Sequence, residues 1–303
     1  MKRTFRDYAL LSLKGVAMGA ADVVPGVSGG TIAFIVGIYE ELLNSIKSVD
    51  GEAFKLFFQL KWADLWKKVN GNFLLSVMIG IAISVLSLAK MITFLLENHP
   101  ILVWSFFFGL VLASTFVVCK QIKQFSMNRW VAFIAGTVAA FYITLATPAS
   151  TPDSAWFIFL CGAIAICAMI LPGISGSFIL VLLGKYFYIM HALKSFDLVT
   201  IVTFLAGASI GIVSFSNVLS WLLKKYHDLT IAVLGGFMLG SLNKVWPWKE
   251  TIETYVDRHG VTKPLIEANI LPNAYLVESL LLMVAGFVLV LLLEKLGTPK
   301  EAK

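Results

Sequence analysis

Two short stretches constrain this chain more than anything else in it. "VVPGVSGG" covers residues 23–30 and "ILPGISGS" covers 170–177, and each interrupts a long apolar run. Proline removes a backbone donor and clashes with the preceding turn, and glycine lowers helix propensity further. The two runs, 9–46 and 155–194, therefore read as helix, break, helix. They are also copies. Pro25, Gly26, Ser28, Gly29, Ile32, Gly37, Tyr39, Lys47, Ser48 and Asp50 match Pro172, Gly173, Ser175, Gly176, Ile179, Gly184, Tyr186, Lys194, Ser195 and Asp197 at a constant offset of 147. The likeness continues downstream: "FLLSVMIGI" (73–81) resembles "FLAGASIGI" (204–212), and "FFGLVLAS" (107–114) resembles "LGGFMLGS" (234–241). The chain is an internal duplication, with a first unit over 1–148 and a second over 155–303.

The rest of the chain places this duplication in a bilayer. Hydrophobic residues make up 58% of the 303 positions and charged residues only 14%, where soluble domains carry roughly 25% charged. Too few charges remain to cover a surface in water. The expected class is an all-α polytopic integral membrane protein. A full span needs about 20 mostly apolar residues. The candidates are 73–96, 101–119, 130–147, 199–223, 229–245 and 276–296. Cys119, Cys161 and Cys167 lie in apolar runs and read as small buried hydrophobes, with no metal site and no cofactor implied.

Topology follows from charge and from counting. With the N-terminus inside, the cytoplasmic segments hold 15 Lys and Arg, and the exterior segments hold Lys194, Lys249, Arg258 and Lys263 alone. Both termini are then cytoplasmic, and the net charge of +6 reflects basic inner loops rather than nucleic-acid binding. Each unit has one broken hairpin, which re-enters or crosses twice, and three full spans. The crossing number is odd, so the second unit is expected to be inverted, as in many secondary transporters. The longest exterior segment, 246–275, has no counterpart in the first unit. Its Trp246 and Trp248 suit the membrane interface, and it is expected to cap the outer mouth of a site.

Irregular backbone at membrane depth is tolerated where it is buried in protein or lines a wet cavity. Each break exposes the start of a following helix, and helix starts offer free N–H groups and partial positive charge to an anion. Gly admits a close ligand, and Ser adds a hydroxyl. The candidate phosphate-binding residues are Pro25, Gly26, Ser28, Gly29, Gly30 and Thr31 in the first break. In the second they are Pro172, Gly173, Ser175, Gly176 and Ser177, with Lys185 as a point charge beyond it. Asp22 and Glu40 are candidates for carrying a proton. The bland readings are kinks that allow tight packing for the breaks, a local cap for Asp22, and snorkelling to an interface for Glu40, Glu41 and Lys185.

Two other function classes fit parts of the pattern. "GVSG" and "GISG" match the G-x-S-G of intramembrane serine proteases. However, His99, His191, His227 and His259 all lie near span ends or in loops, and a nucleophile needs only one copy. A phosphatase lacks an Arg within either hairpin. A carrier for a small soluble anion would use the same breaks. It differs from a lipid carrier in needing a closed vestibule rather than a lateral opening.

"MGAADVVPGVSGGTIAFIVGIYEEL" together with "AMILPGISGSFILVLLGKY" resembles the bacterial membrane family once catalogued as domain of unknown function 368 and described as polyprenyl-phosphate transporters, the PopT group. The likeness covers essentially the whole chain. It implies a lipid partner, undecaprenyl phosphate, returned from the outer to the inner leaflet of the cytoplasmic membrane. Nothing in the residues sets an oligomeric state, and the site residues above come from the chain's own pattern.

Overall fold

The computed structural model describes residues 3–24, 27–256 and 262–297. The chain is an all-α membrane protein with one small β-ribbon. The first half runs α1 (Phe5–Asp22), α2 (Gly29–Ile35), α3 (Tyr39–Lys47), α4 (Gly51–Phe58), α5 (Trp62–Lys68), α6 (Gly71–Asn98), α7 (Pro100–Cys119) and α8 (Met127–Leu145). The second runs α9 (Ala155–Ile170), α10 (Gly176–Leu182), α11 (Tyr186–Ser195), α12 (Leu198–Lys225) and α13 (His227–Ser241). Strands β1 (Lys249–Val256) and β2 (Thr262–Asn269) follow, and α14 (Leu276–Gly297) closes the chain. Helices α6, α7, α8, α12 and α14 are long and apolar enough to cross a membrane, and the bent pair α10–α11 makes a sixth such stretch.

Each broken region contains three helices rather than the two expected. A second break follows the first by one short helix. It falls at Gly37, φ +71°, and at Gly184, φ +64°. A side chain is strained at such φ values, so this matched glycine pair turns the chain where its apolar pattern suggested continuity. The axes of α10 and α11 differ by 107°.

The long helices pair in a pattern that follows the sequence duplication. α1 packs along α6, and α9 along α12. α7 packs against α14 and α8 against α13, so each half lends a helix to the other. Small residues permit these close crossings. A Cβ on Gly109 would run into the Met283 carbonyl, and one on the matching Gly236 would run into the Phe133 carbonyl. The main core gathers α1–α3, α6, α7, α12 and α13, with Val24, Val27, Phe73, Val111 and Ile231 fully buried. Without water to drive association, backbone approach and dispersion hold such pairs together.

The segment 47–72 is not an open loop. Asp50 caps α4 by accepting from the Glu52 and Ala53 amides, both at 3.0 Å. Phe54, Phe57, Phe58, Trp62 and Trp66 remain exposed, interleaved with Lys55, Lys61 and Lys67. The other long loop folds into the β1–β2 ribbon, in which Lys249 pairs with Asn269.

Candidate functional site

The two breaks meet through hydrogen bonds. In a continuous α9 the Met169 carbonyl would accept from the amide of Gly173. That amide instead donates to Thr31 Oγ1 at 3.0 Å, and Met169 O receives the Ser28 hydroxyl at 3.0 Å. The neighbouring Ile170 carbonyl receives the Tyr39 hydroxyl at 3.1 Å. Three hydroxyls of the first region thus satisfy backbone groups that the second break released, as burial demands. Ser28 and Thr31 are fully buried. Gly30 fits here because it lacks a side chain: a Cβ would stand 2.7 Å from the Ile170 carbonyl.

The two helix starts differ chemically. Ser28 caps α2, accepting from the Gly30 amide at 3.1 Å, and Asp22 Oδ1 accepts from the Gly29 amide at 2.6 Å. The carboxylate of Asp22 therefore sits where a bound anion was expected, and its capping role is the observed one. In the second copy Met169 stands in the place of Asp22. Ser175 caps α10 by accepting from the Phe178 amide at 3.2 Å and lies 3.3 Å from Ser177 Oγ. Pro172 is buried, Gly176 is half-buried and Ser177 is exposed. Gly173 has φ +93°, and a Cβ on it would lie 2.7 Å from Ser241 Oγ at the end of α13. Pro25 and Gly26 lie outside the described residues.

The charged candidates are engaged elsewhere. Lys185 is 3% exposed, and its ammonium donates to Asp153 Oδ1 at 2.5 Å and to the Thr151 carbonyl at 2.7 Å. It pins the linker between the halves. Glu40 is exposed, 3.8 Å from His227 Nε2. Glu41 forms a bidentate pair with Arg3, both contacts at 2.6 Å.

Two lysines lie at the start of the ribbon, one of them against the helix that follows the second break. Lys244 follows α13, and its ammonium sits 5.0 Å above the ring of Phe178 in the first turn of α10. Lys249 has a side chain only 7% exposed. Its ammonium lies 4.0 Å above the Trp104 ring and donates to the Lys244 carbonyl at 2.9 Å. Both approach the same oxygen of Glu267, Lys249 at 3.4 Å and Lys244 at 4.0 Å. Burial pulls the Lys249 ammonium down to about 8, against the opposing attraction of Glu267. Burial lowers Lys244 as well. These residues fall in or beside the unduplicated segment, so the repeat could not flag them. Next to them a cavity of about 790 Å³ opens between α8 and α13. Its walls include Val138, Phe141, Tyr142, Leu242, Trp246 and Leu271. Val138, Phe141, Tyr142 and Leu271 are exposed, so the cavity is open to the surface alongside α8.

Residues 18–263 match the profile of the VCA0040-like family, described as undecaprenyl phosphate translocase-like. The chain belongs to this family. Among the relatives of this VCA0040-like chain is the polyprenyl-phosphate transporter of Vibrio cholerae serotype O1, 47% identical over 95% of this chain and 97% of the relative. Another is the polyprenyl-phosphate transporter of Staphylococcus aureus, 32% identical over 78% of this chain and 85% of the relative. No solved structure matches it significantly.

Proposed function

We propose that the chain is a transporter, not an enzyme, that carries undecaprenyl phosphate from the outer to the inner leaflet of the bacterial cytoplasmic membrane, with both termini in the cytoplasm. The observation that carries this reading is the hydrogen-bonded meeting of the two breaks, in which Ser28 and Tyr39 donate to the Met169 and Ile170 carbonyls and Thr31 accepts from the Gly173 amide. A duplicated, polar, irregular backbone region among apolar helices is the arrangement expected of a substrate path at membrane depth. The names of the two relatives supply the substrate class. In this reading the two units, 1–148 and 155–303, are inverted copies about a pseudo-two-fold axis. The phosphate passes the second break at Ser175, Gly176 and Ser177, because Asp22 already fills the first helix start.

Access alternates by exchange of hairpin packing. In the described structure α3 lies against α12, with Ser220 Oγ donating to Asn44 Oδ1 at 3.1 Å. The corresponding docking of α11 on α6 is not of that extent among the described residues. All seven residues of α2 are buried, whereas only Leu180 of α10 is. This asymmetry supports a state closed at the first hairpin and loose at the second. The cavity open alongside α8 favours a lipid over a soluble anion, since a prenyl tail can stay in the bilayer while the headgroup crosses. A serine hydrolase is disfavoured because the Ser28 proton is committed to the Met169 carbonyl.

Purified protein in liposomes tests the reading with three probes: undecaprenyl phosphate, undecaprenol and inorganic phosphate. Movement of undecaprenyl phosphate between leaflets, with undecaprenol and inorganic phosphate unaffected, is the expected result. Uptake of inorganic phosphate without lipid movement selects the soluble-anion carrier instead.

A further inference from the structure

Of the two lysines at the start of the ribbon, Lys249 is buried and Lys244 keeps a partly exposed side chain. Two ammonium groups converge on a single carboxylate, so Lys244, Lys249 and Glu267 together carry one net positive charge. Lys249 is satisfied by the Lys244 carbonyl and Glu267. Lys244 has no hydrogen-bond acceptor among the described residues, only the Phe178 ring and a carboxylate oxygen 4.0 Å away. The Lys244 side chain is 24% exposed, so its three ammonium donors face water and are open to an incoming anionic acceptor. Its surroundings lead two ways. Phe178 belongs to α10, directly after the second break. Asn243, its neighbour in sequence, lines the cavity alongside α8 and is bonded by Asn269.

We propose that Lys244 and Lys249, gathered around Glu267, form a phosphate-monoester site in which the headgroup of a polyprenyl phosphate rests while its tail lies in the cavity between α8 and α13. The inference rests on the substrate class proposed above and adds a place for the headgroup that neither break provides. The chemistry suits a phosphate monoester. Lys offers compact point charges, and a doubly charged oxyanion can replace Glu267 as the acceptor that Lys244 lacks. The apolar, surface-open cavity of about 790 Å³ accepts the first isoprene units and leaves the remaining tail in the bilayer. From this position the headgroup is next to α10 and hence next to the second break.

Binding to the purified full-length chain in nanodiscs, read by native mass spectrometry, tests the site. The probes are undecaprenyl phosphate, undecaprenol and inorganic phosphate. Lys244→Met should weaken undecaprenyl phosphate binding roughly tenfold, the size of one lost charged hydrogen bond, and Lys244→Arg should retain most of it. Glu267→Gln should tighten binding, because it removes the competing anion. Undecaprenol binding should be the same in all four proteins. Melting temperatures within a few degrees of wild type identify the folded variants to be compared. If folded Lys244→Met and Glu267→Gln bind undecaprenyl phosphate like wild type, the site is overturned while the transport reading stands. If inorganic phosphate competes at equal concentration, the ligand is the free anion and the lipid assignment fails. If wild type prefers undecaprenyl phosphate no more than undecaprenol, the transport reading falls with it.

Discussion

Gly30 sets how closely the two broken regions can approach, and Asp22 caps the helix start of the first. A Cβ on Gly30 would meet the Ile170 carbonyl at 2.7 Å and the Met169 carbonyl at 3.2 Å, both of them backbone atoms. Gly30→Val should separate the breaks and lose the bonds from Ser28, Thr31 and Tyr39, at a cost of roughly 1–3 kcal/mol from overpacking alone. Ser28→Ala should cost about 1 kcal/mol by leaving the Met169 carbonyl unsatisfied. Chemical unfolding in detergent ranks the two, and equal stability of Gly30→Val and wild type would contradict the packing. At Asp22, Asn preserves an acceptor for the Gly29 amide and Ala does not, so Asp22→Ala should be the less stable variant. Lys249 adds a pH signature. Its ammonium, faced by Glu267 and Lys244, titrates near 8 in the folded chain against 10.5 unfolded. Above pH 8 the folded state therefore binds fewer protons than the unfolded one, so stability rises with pH between these values. Undecaprenyl phosphate binding should fall in the same window as the positive charge is lost. A binding curve flat to pH 9.5 would exclude Lys249 from the site.

Among the elements, five of the six expected spans were legible in the sequence because apolar length is nearly sufficient to define them, while the expected 229–245 is the shorter α13 (His227–Ser241), which is not among the helices long enough to cross. The expected 73–96 is α6 (Gly71–Asn98), and the expected 199–223 is α12 (Leu198–Lys225). The duplicated breaks were equally plain from Pro172 and its surroundings. What stayed hidden depended on backbone angles or on partners distant in sequence. Gly37 and Gly184 were visible as matched residues, but nothing local announced their positive φ. The exchange of α7 and α8 with α14 and α13 joins residues more than 90 positions apart. The pull of Lys244 toward Phe178 joins a helix end to a break in the same half, with no motif to mark it. Because Gly109 and Gly236 occupy matched places in the exchanged pairs, Gly109→Val and Gly236→Val should destabilise the protein by similar amounts, a few kcal/mol. A large effect at only one of them would show that the two pairs are not equivalent. The ribbon is fixed at its base by Trp248, whose indole donates to the Ala274 carbonyl at 2.8 Å. Replacing 251–266 with a short Gly-Ser linker keeps Lys249, Glu267 and that anchor. It should leave membrane insertion intact and reduce transport if the ribbon covers the outer mouth. Wild-type transport would remove that role.

For the whole molecule, the central claim is that undecaprenyl phosphate crosses as the broken hairpins exchange their packing. The side chains of Asn44 on α3 and Ser220 on α12 stand 3.1 Å apart, so the docked first hairpin can be trapped covalently. The most direct measurement uses Asn44→Cys with Ser220→Cys in a chain whose Cys119, Cys161 and Cys167 have been replaced by Ala. The pair is joined by oxidation or by a short dithiol-specific linker. Leaflet-to-leaflet movement of undecaprenyl phosphate in liposomes is then followed before joining, after joining and after reduction. Transport should stop in the joined protein and return on reduction, while either single cysteine variant remains active throughout. Undiminished transport by the fully joined protein would contradict hairpin exchange as the mechanism.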